Sequence, residues 1–263
     1  MSNAPSLQPK VSVVVLNYNG LQWLQRCFES LQAKTIFPNI EVIMTDNNST
    51  DGSDGFAKAW FERTAKGPLV QNGANLGYCQ ANNNGAAVAT GKYLLFLNND
   101  TWLEPDCLEK LYNEAEETGA DSAAPLVLNY DNDSFQGIGS PGIDLFGMPT
   151  YLPPLAGRSE IFAAAGCSLF VRADTFRRVG GFDGTLFIYA EETDLAWRVW
   201  TSGGKVVTAL SARVHHRGAA VVNPRRPPST LRRARETPSG SHKRGHKGVE
   251  KFRQTVKKNS ARR

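Results

Sequence analysis

Short apolar runs alternate with stretches of helical spacing along the first two hundred residues, and each early run ends in a polar cluster. Residues 11–16 form the first run, broken by Asn17, Tyr18, Asn19 and Gly20. Leu21, Leu24, Cys27, Phe28 and Leu31 then share one helical face, because positions three and four apart lie on the same side. Residues 40–45 predict a second strand ending at Asp46. The polar turn 46–52 leads into a helix through position 61, capped by Ser53 or Asp54. Leu69 and Val70 predict a short third strand, and residues 78–90 a helix of small residues closed by Gly91. Tyr93 to Leu97 are all hydrophobic and suit a strand buried on both faces. The chain then turns at once to Asn98, Asn99 and Asp100. Residues 106–118, just after Pro105, predict another helix.

The second half is less regular. Residues 129–159 are rich in Gly, Pro, Asp and Asn and predict a long irregular segment with a short hairpin, facing the substrate. Residues 165–171 predict a strand, 173–179 a helix, 180–183 a turn and 191–202 an apolar helix. Val206, Val207 and residues 212–214 predict two short strands leading to His215 and His216. Repeated strand–helix alternation with short connections predicts an α/β fold: a doubly wound, mostly parallel central sheet with helices on both faces.

Composition adds boundaries to this picture. The chain has 263 residues, 41% of them hydrophobic, enough for a sizeable core. No apolar run approaches the roughly 20 residues of a membrane span. The polar leader, residues 1–10, carries two prolines and does not read as a signal peptide, so a cytoplasmic location is expected. Cys27, Cys79, Cys107 and Cys167 are widely spaced without a C-x-x-C pair, as expected for reduced, mostly buried thiols. The net charge of +5 hides a split. Residues 224–263 hold 14 Lys and Arg against two acids, a net of +12, which leaves −7 on the rest. The expected parts are therefore the leader, a folded body over 11–222 and a basic, disordered tail over 223–263 with a helix inducible at 249–256. Such a tail suits peripheral contact with anionic lipid on the inner membrane face, each basic residue contributing about 1 kcal/mol near the surface. The acidic body offers no matching groove for specific nucleic acid.

In open α/β sheets, ligands bind at the carboxyl ends of strands. Asp46 and Asp100 occupy such ends, and Glu191, Glu192 and Asp194 open the late helix. Carboxylates there can hold a divalent cation or serve as a general base. Plainer roles stand beside these: Asp46 in an Asx turn, Asp100 in a polar turn, and first-turn acids favoured by the helix dipole. Gly-x-x-x-x-Gly-Lys-Ser and Gly-x-Gly-x-x-Gly are both absent, so P-loop and dinucleotide chemistries lose support.

Seven segments in register resemble family-2 glycosyltransferases of the GT-A fold, notably the rhamnosyltransferase-like branch. They are residues 11–20; Asp46 to Gly52; Asn75 and Gly77 through Asn83 and Gly85 to Gly91; residues 95–100; residues 180–183; Glu191 to Leu195 with Arg198; and His216. The resemblance covers residues 11–220. It implies inverting sugar transfer from a nucleotide-sugar donor, with Mn²⁺ or Mg²⁺, onto a glycan or lipid-linked acceptor of the cell envelope. It implies donor binding by Asn17, Tyr18, Asp46, Asn48, Asn75, Gly77, Asn83, Asn98 and Asn99. It assigns the metal to Asp100 and His216, with His215 a weaker candidate. The base falls on Glu192, where the family has Asp, with Glu191 or Asp194 sharing the role. Asn98 stands where the family's first metal-site Asp would be. Residues 164–168 match the segment flanking donor sugar and acceptor, with close packing of a buried strand as the plainer reading, and for Gly77 and Gly85 the plainer reading is a tight backbone turn. Trp102 either stacks on a sugar or lies in the core. A nucleotidyltransferase would favour a basic loop after the first strand, and residues 17–20 hold no Lys or Arg. A decayed site that binds nucleotide-sugar without turnover is the alternative.

Overall fold

The computed structural model describes residues 11–32, 39–144, 149–150 and 157–218. In chain order the elements are β1 Val11–Asn17, α1 Leu21–Gln32, β2 Ile40–Asp46, α2 Ser53–Thr64, β3 Leu69–Gln71, α3 Gly77–Val88, β4 Tyr93–Asn98, β5 Thr101–Leu103, α4 Cys107–Thr118, β6 Ser122–Asn129, β7 Phe135–Gly137, β8 Gly139–Ser140, β9 Ala163–Ala164, β10 Ser168–Arg172, α5 Ala173–Arg178, α6 Glu191–Thr201 and β11 Val206–His216.

The main sheet runs β3-β2-β1-β4-β10-β6-β11-β5, with β7 beside β6, while β8 and β9 pair separately. Parallel pairing joins β3, β2, β1 and β4, and again β6 and β11. Between these blocks β10 runs antiparallel to both β4 and β6. The register sets Asn17 opposite Asp46 and Leu16 opposite Asn98, so three carboxyl ends finish level. Helices cover both faces, as expected of this α/β fold. Successive strand residues face opposite sides. Val13 and Leu95 join Phe28, Trp60 and Leu111 in one layer, and Val14 and Phe96 join Phe176, Phe182 and Leu195 in the other. Burying these aromatic and branched side chains supplies the main drive to fold, about 1.5–3 kcal/mol for each large one.

Several local expectations change. β5 and β6 were not anticipated, and β11 is one strand instead of two. Its pairing with β6 shifts register between Ala209 and Arg213, opposite Pro125 and Leu126. Pro125 has no N–H to give a ladder, and a bulge is where a sheet tolerates that. The expected strand over 165–171 forms only from Ser168 onward, as β10, and the two-residue β9 precedes it. In the segment 129–159, where a short hairpin was expected, β7 folds back antiparallel on β6 and β8 pairs with β9. Neither Ser53 nor Asp54 caps α2: Gly52 is the N-cap, with φ 90° and no side-chain cap bond. Gly85 is not a turn residue but sits inside α3, where a Cβ would overlap the side chains of Val14 and Thr45. Its lack of a side chain lets α3 approach the sheet. The leader and the tail, 1–10 and 223–263, lie outside the described residues. Among the described residues no helix is long and apolar enough to cross a membrane.

Candidate active site

The level ends of β1 and β2 build the first part of the site. Asn17 is buried and donates from Nδ2 to Asp46 Oδ1 at 2.8 Å and to Ser49 Oγ at 3.0 Å. Its Oδ1 accepts from Asn99 Nδ2 at 2.6 Å. Asp46, only 1% exposed, also accepts from Ser49 N at 2.9 Å and Ser49 Oγ at 2.6 Å. Its carboxylate is thus engaged inside its own loop, the Asx-type geometry. The adjacent loops are tied together as well, because Asp51 Oδ2 accepts from Leu21 N at 2.8 Å and so caps the start of α1. Tyr18 and Asn48 remain exposed at the rim. Asn75 closes a turn by accepting from Gly77 N at 3.1 Å. Gly77 has φ 79°, and a Cβ there would overlap Phe187. Asn83 stands apart from this group: both ends of its amide bind the backbone of Phe182, at 2.9 and 3.0 Å.

Asp100 and His216 lie 116 positions apart in sequence, and strand pairing unites them. β5 starts directly after Asp100 and pairs antiparallel with the end of β11, setting His216 opposite Thr101 and His215 opposite Trp102. His216 Nε2 lies 3.4 Å from Asp100 Oδ1. Burial works against a charged imidazole at His216, and interactions with Cys167 and Asp100 outweigh it, holding the pKa above the ordinary value. His215 points elsewhere. It is buried, stacks on Trp102 at 3.6 Å and 5°, and lies 3.4 Å from Glu104 and 3.2 Å from Asp133. The Arg26 guanidinium lies 4.3 Å from the Trp102 ring centroid. Trp102 is therefore a cross-strand clip instead of a sugar platform. Asn98 and Asn99 link the two regions: Asn98 N donates to Cys167 O at 3.0 Å, and Asn99 reaches Asn17.

The acids of α6 divide. Asp194 forms an ion pair with Arg198, at 2.5 Å, while Arg198 also donates to the carbonyls of Val179 and Gly181 at 2.7 and 2.6 Å. It braces the loop before the helix. Glu191 and Glu192 instead converge on Gly166, where a Cβ would lie 3.5 Å from an oxygen of each. Gly166 O accepts from the Tyr78 hydroxyl at 2.7 Å. Glu191 is 6% exposed and its Oε2 has no hydrogen-bond partner among the described residues. Burial, then the charge of Glu192, pushes its pKa up to about 8. Burial also raises that of Glu192. Tyr189 and Ala190, just before these acids, both adopt left-handed backbone, with φ 71° and 69°. Neither is a glycine, so each stores strain of about 1–3 kcal/mol beside the site.

An unfolded glutamate loses its proton near 4.5, whereas folded Glu191 keeps it to about 8. Between those values the folded state binds more protons, so stability declines as pH rises from about 4.5 to about 8. Glu191→Gln is expected to make that decline shallower, leaving the part that Glu192 contributes. Urea midpoints measured at either end of the range check it, and parallel pH profiles for the two proteins would reject the assignment.

A cleft of about 250 Å³ is lined by both Glu192 and His216, with Cys167, Gly166, Gln136 and Thr150 among others, while Asp46 and Asp100 are not among its lining residues. Among the described residues no three His, Cys, Asp or Glu side chains form a metal cage. One carboxylate oxygen and one imidazole nitrogen nevertheless fit Mn²⁺, which takes both donor types and can complete its shell with phosphate oxygens and water. Sequence reasoning missed Gln136, Tyr78 and Ser49 as members of this site. The asparagine-rich turns around Ser49 gave a usable signal; Gln136 sits in a stretch with no periodicity.

A mixed sheet with acids and amides along its carboxyl edge, and helices over both faces, is the GT-A architecture. Residues 12–180 match the profile of the family described as Glycosyl transferase family 2, and the chain belongs to that family. It is 32% identical over 121 residues to the glycosyltransferase GlyG of Streptococcus pneumoniae, a match covering 46% of this chain and 40% of GlyG. It is 28% identical over 236 residues to the N-acetylglucosaminyl-diphospho-decaprenol L-rhamnosyltransferase of Mycobacterium tuberculosis, covering 79% of this chain and 76% of that one. The crystal structure of GalNAc-T7 with UDP, GalNAc and Mn²⁺ has the same fold, with a TM-score of 0.69 at 19% identity over 81% of this chain and 44% of that one. The chain spans less than half the length of the first curated relatives it matches.

Proposed function

We propose that this chain is an inverting, metal-dependent glycosyltransferase that moves a sugar from a nucleotide-diphosphate donor to a hydroxyl of a glycan or lipid-linked acceptor. One observation carries the reading: Glu192 and His216 line a single cleft, with Asp100 beside His216. Glu192 is the base. Burial raises its pKa, which makes the carboxylate a stronger base toward a hydroxyl within reach. It accepts the proton of the acceptor hydroxyl as that oxygen attacks the anomeric carbon. The diphosphate departs on the opposite face, which inverts the centre. Asp100 and His216 are the residues that would hold the divalent cation. When bound, that cation supplies positive charge against the leaving diphosphate oxygens. Tyr18, Asn48 and Asn75, exposed on the loops ordered by Asn17 and Asp46, are the contacts assigned to the nucleotide. Asn98 and Asn99 join the two ends of the site. Relatives support the class of ligand. One is named for a decaprenol-linked acceptor, and a structure of the same fold holds UDP and Mn²⁺.

A melting screen of UDP-, GDP- and dTDP-sugars with Mn²⁺ tests this, since ligand that binds the folded state raises the melting temperature. At least one donor is expected to raise it, and Asp100→Ala to lose the increase. No response to any donor, or binding with no nucleotide release for any acceptor or for water, would refute catalysis.

A further inference from the structure

We infer that Gln136 is a positioning residue for His216, fixing which ring nitrogen faces Asp100. The inference rests on the assignment of Asp100 and His216 to the cation. Gln136 lies in β7, whose pairing with β6 is irregular: Phe135 faces Leu128 and Gly137 faces Val127, which leaves Gln136 as the extra residue. A bulge of this kind re-aims a side chain. Here the side chain turns inward. Gln136 is 7% exposed, and its Oε1 lies 2.9 Å from His216 Nδ1.

The orientation of the amide follows from its other end. Gln136 Nε2 donates to His216 O at 3.3 Å and to Asn129 Oδ1 at 3.4 Å, both of them acceptors. An amide nitrogen has no lone pair to offer, so Oε1 must face the ring and Nδ1 must carry the hydrogen it donates. That leaves Nε2 toward Asp100 Oδ1, 3.4 Å away, as the nitrogen a cation would share with the carboxylate. Gln136 holds both the backbone carbonyl and the ring of one residue, so the imidazole has little freedom to rotate. Partners of this type tune metal ligands, and losing one typically weakens affinity 10–100-fold. Gly218 completes the seat: a Cβ there would overlap the His216 ring.

Titration of the full chain with Mn²⁺ alone, following free Mn²⁺ by electron paramagnetic resonance, tests this without any turnover. Gln136→Met, similar in shape but without the acceptor, is expected to weaken binding about 10–100-fold. Gln136→Glu, which keeps an acceptor oxygen in place, is expected to bind within several-fold of wild type or tighter. Melting curves show whether each variant is folded. If the Met variant is not, Gln136→Asn withdraws the amide by one methylene and carries the same expectation of weakened binding. A folded Met or Asn variant that binds like wild type overturns the inference. So does a Glu variant as weak as Met. Asp100→Asn separates the two levels: unchanged binding there removes the cation site itself. Loss there, with Gln136→Met intact, condemns only the role of Gln136.

Discussion

Replacing Glu192 by Gln is expected to lower kcat by about two to four orders of magnitude, the usual contribution of a positioned general base. Donor binding should persist. Glutamine keeps the size and one oxygen of the side chain but cannot accept the proton that the attacking hydroxyl must lose. The expectation is specific to this position because the neighbouring acids are placed differently. Asp194 is held by Arg198. Glu191 is the more buried of the adjacent pair and has an oxygen without a partner among the described residues. Glu192 is the member that lines the cleft with His216. Steady-state kinetics and a donor melting shift, measured on the same variant, give the answer. A kcat within ten-fold of wild type would remove Glu192 from the role; the loss appearing in Glu191→Gln instead would move the base by one residue.

The largest stability effect is expected from Phe96→Ala. Phe96 is fully buried in β4, with its ring centroid 4.9 Å from Phe176 and 4.8 Å from Phe182. Removing a buried phenylalanine ring costs about 3–5 kcal/mol, through lost transfer energy and the cavity left behind. Domains have about 5–15 kcal/mol in total, so the variant should melt roughly 6–20 °C lower. The effect should reach the site as well. Phe182 is the residue whose backbone Asn83 grips, and the preceding Gly181 carbonyl is held by Arg198. Calorimetry of both proteins checks this; a loss below about 1 kcal/mol would mean the cluster relaxes to fill the space.

The legible elements were those whose burial is complete. β1, β2 and β4 are covered on both faces, so their apolar runs are unbroken and their polar endings conspicuous. β6 escaped because it opens with Ser122, Ala123, Ala124 and Pro125, a composition that reads as coil until β10 and β11 flank it. β5 is three residues long and exists through its pairing with β11. Among the site residues, position along the sheet was readable and the partners of each side chain were not. Asp46 looked like a ligand contact because it ends a strand, yet Asn17 and Ser49 occupy its oxygens. Asn83 looked donor-lining, yet a loop ninety-nine residues later claims its amide. Long-range hydrogen bonds of this kind leave no periodic trace.

The irregularity in β11 has a consequence for how such chains can diverge. His215 and His216 are neighbours on one strand, so they look in opposite directions, one toward Trp102 and the other toward Asp100. Which histidine looks which way depends on the parity of the residues between Ala209 and Arg213. Gaining or losing one residue there, if the pairing beyond it shifts by one, would exchange the two imidazoles while leaving the other residues of the cleft unchanged, because a single step in a strand reverses every side chain beyond it. An insertion or deletion at 210–212 is therefore a frame change for the site, and gaps in that short stretch should be tolerated only in pairs.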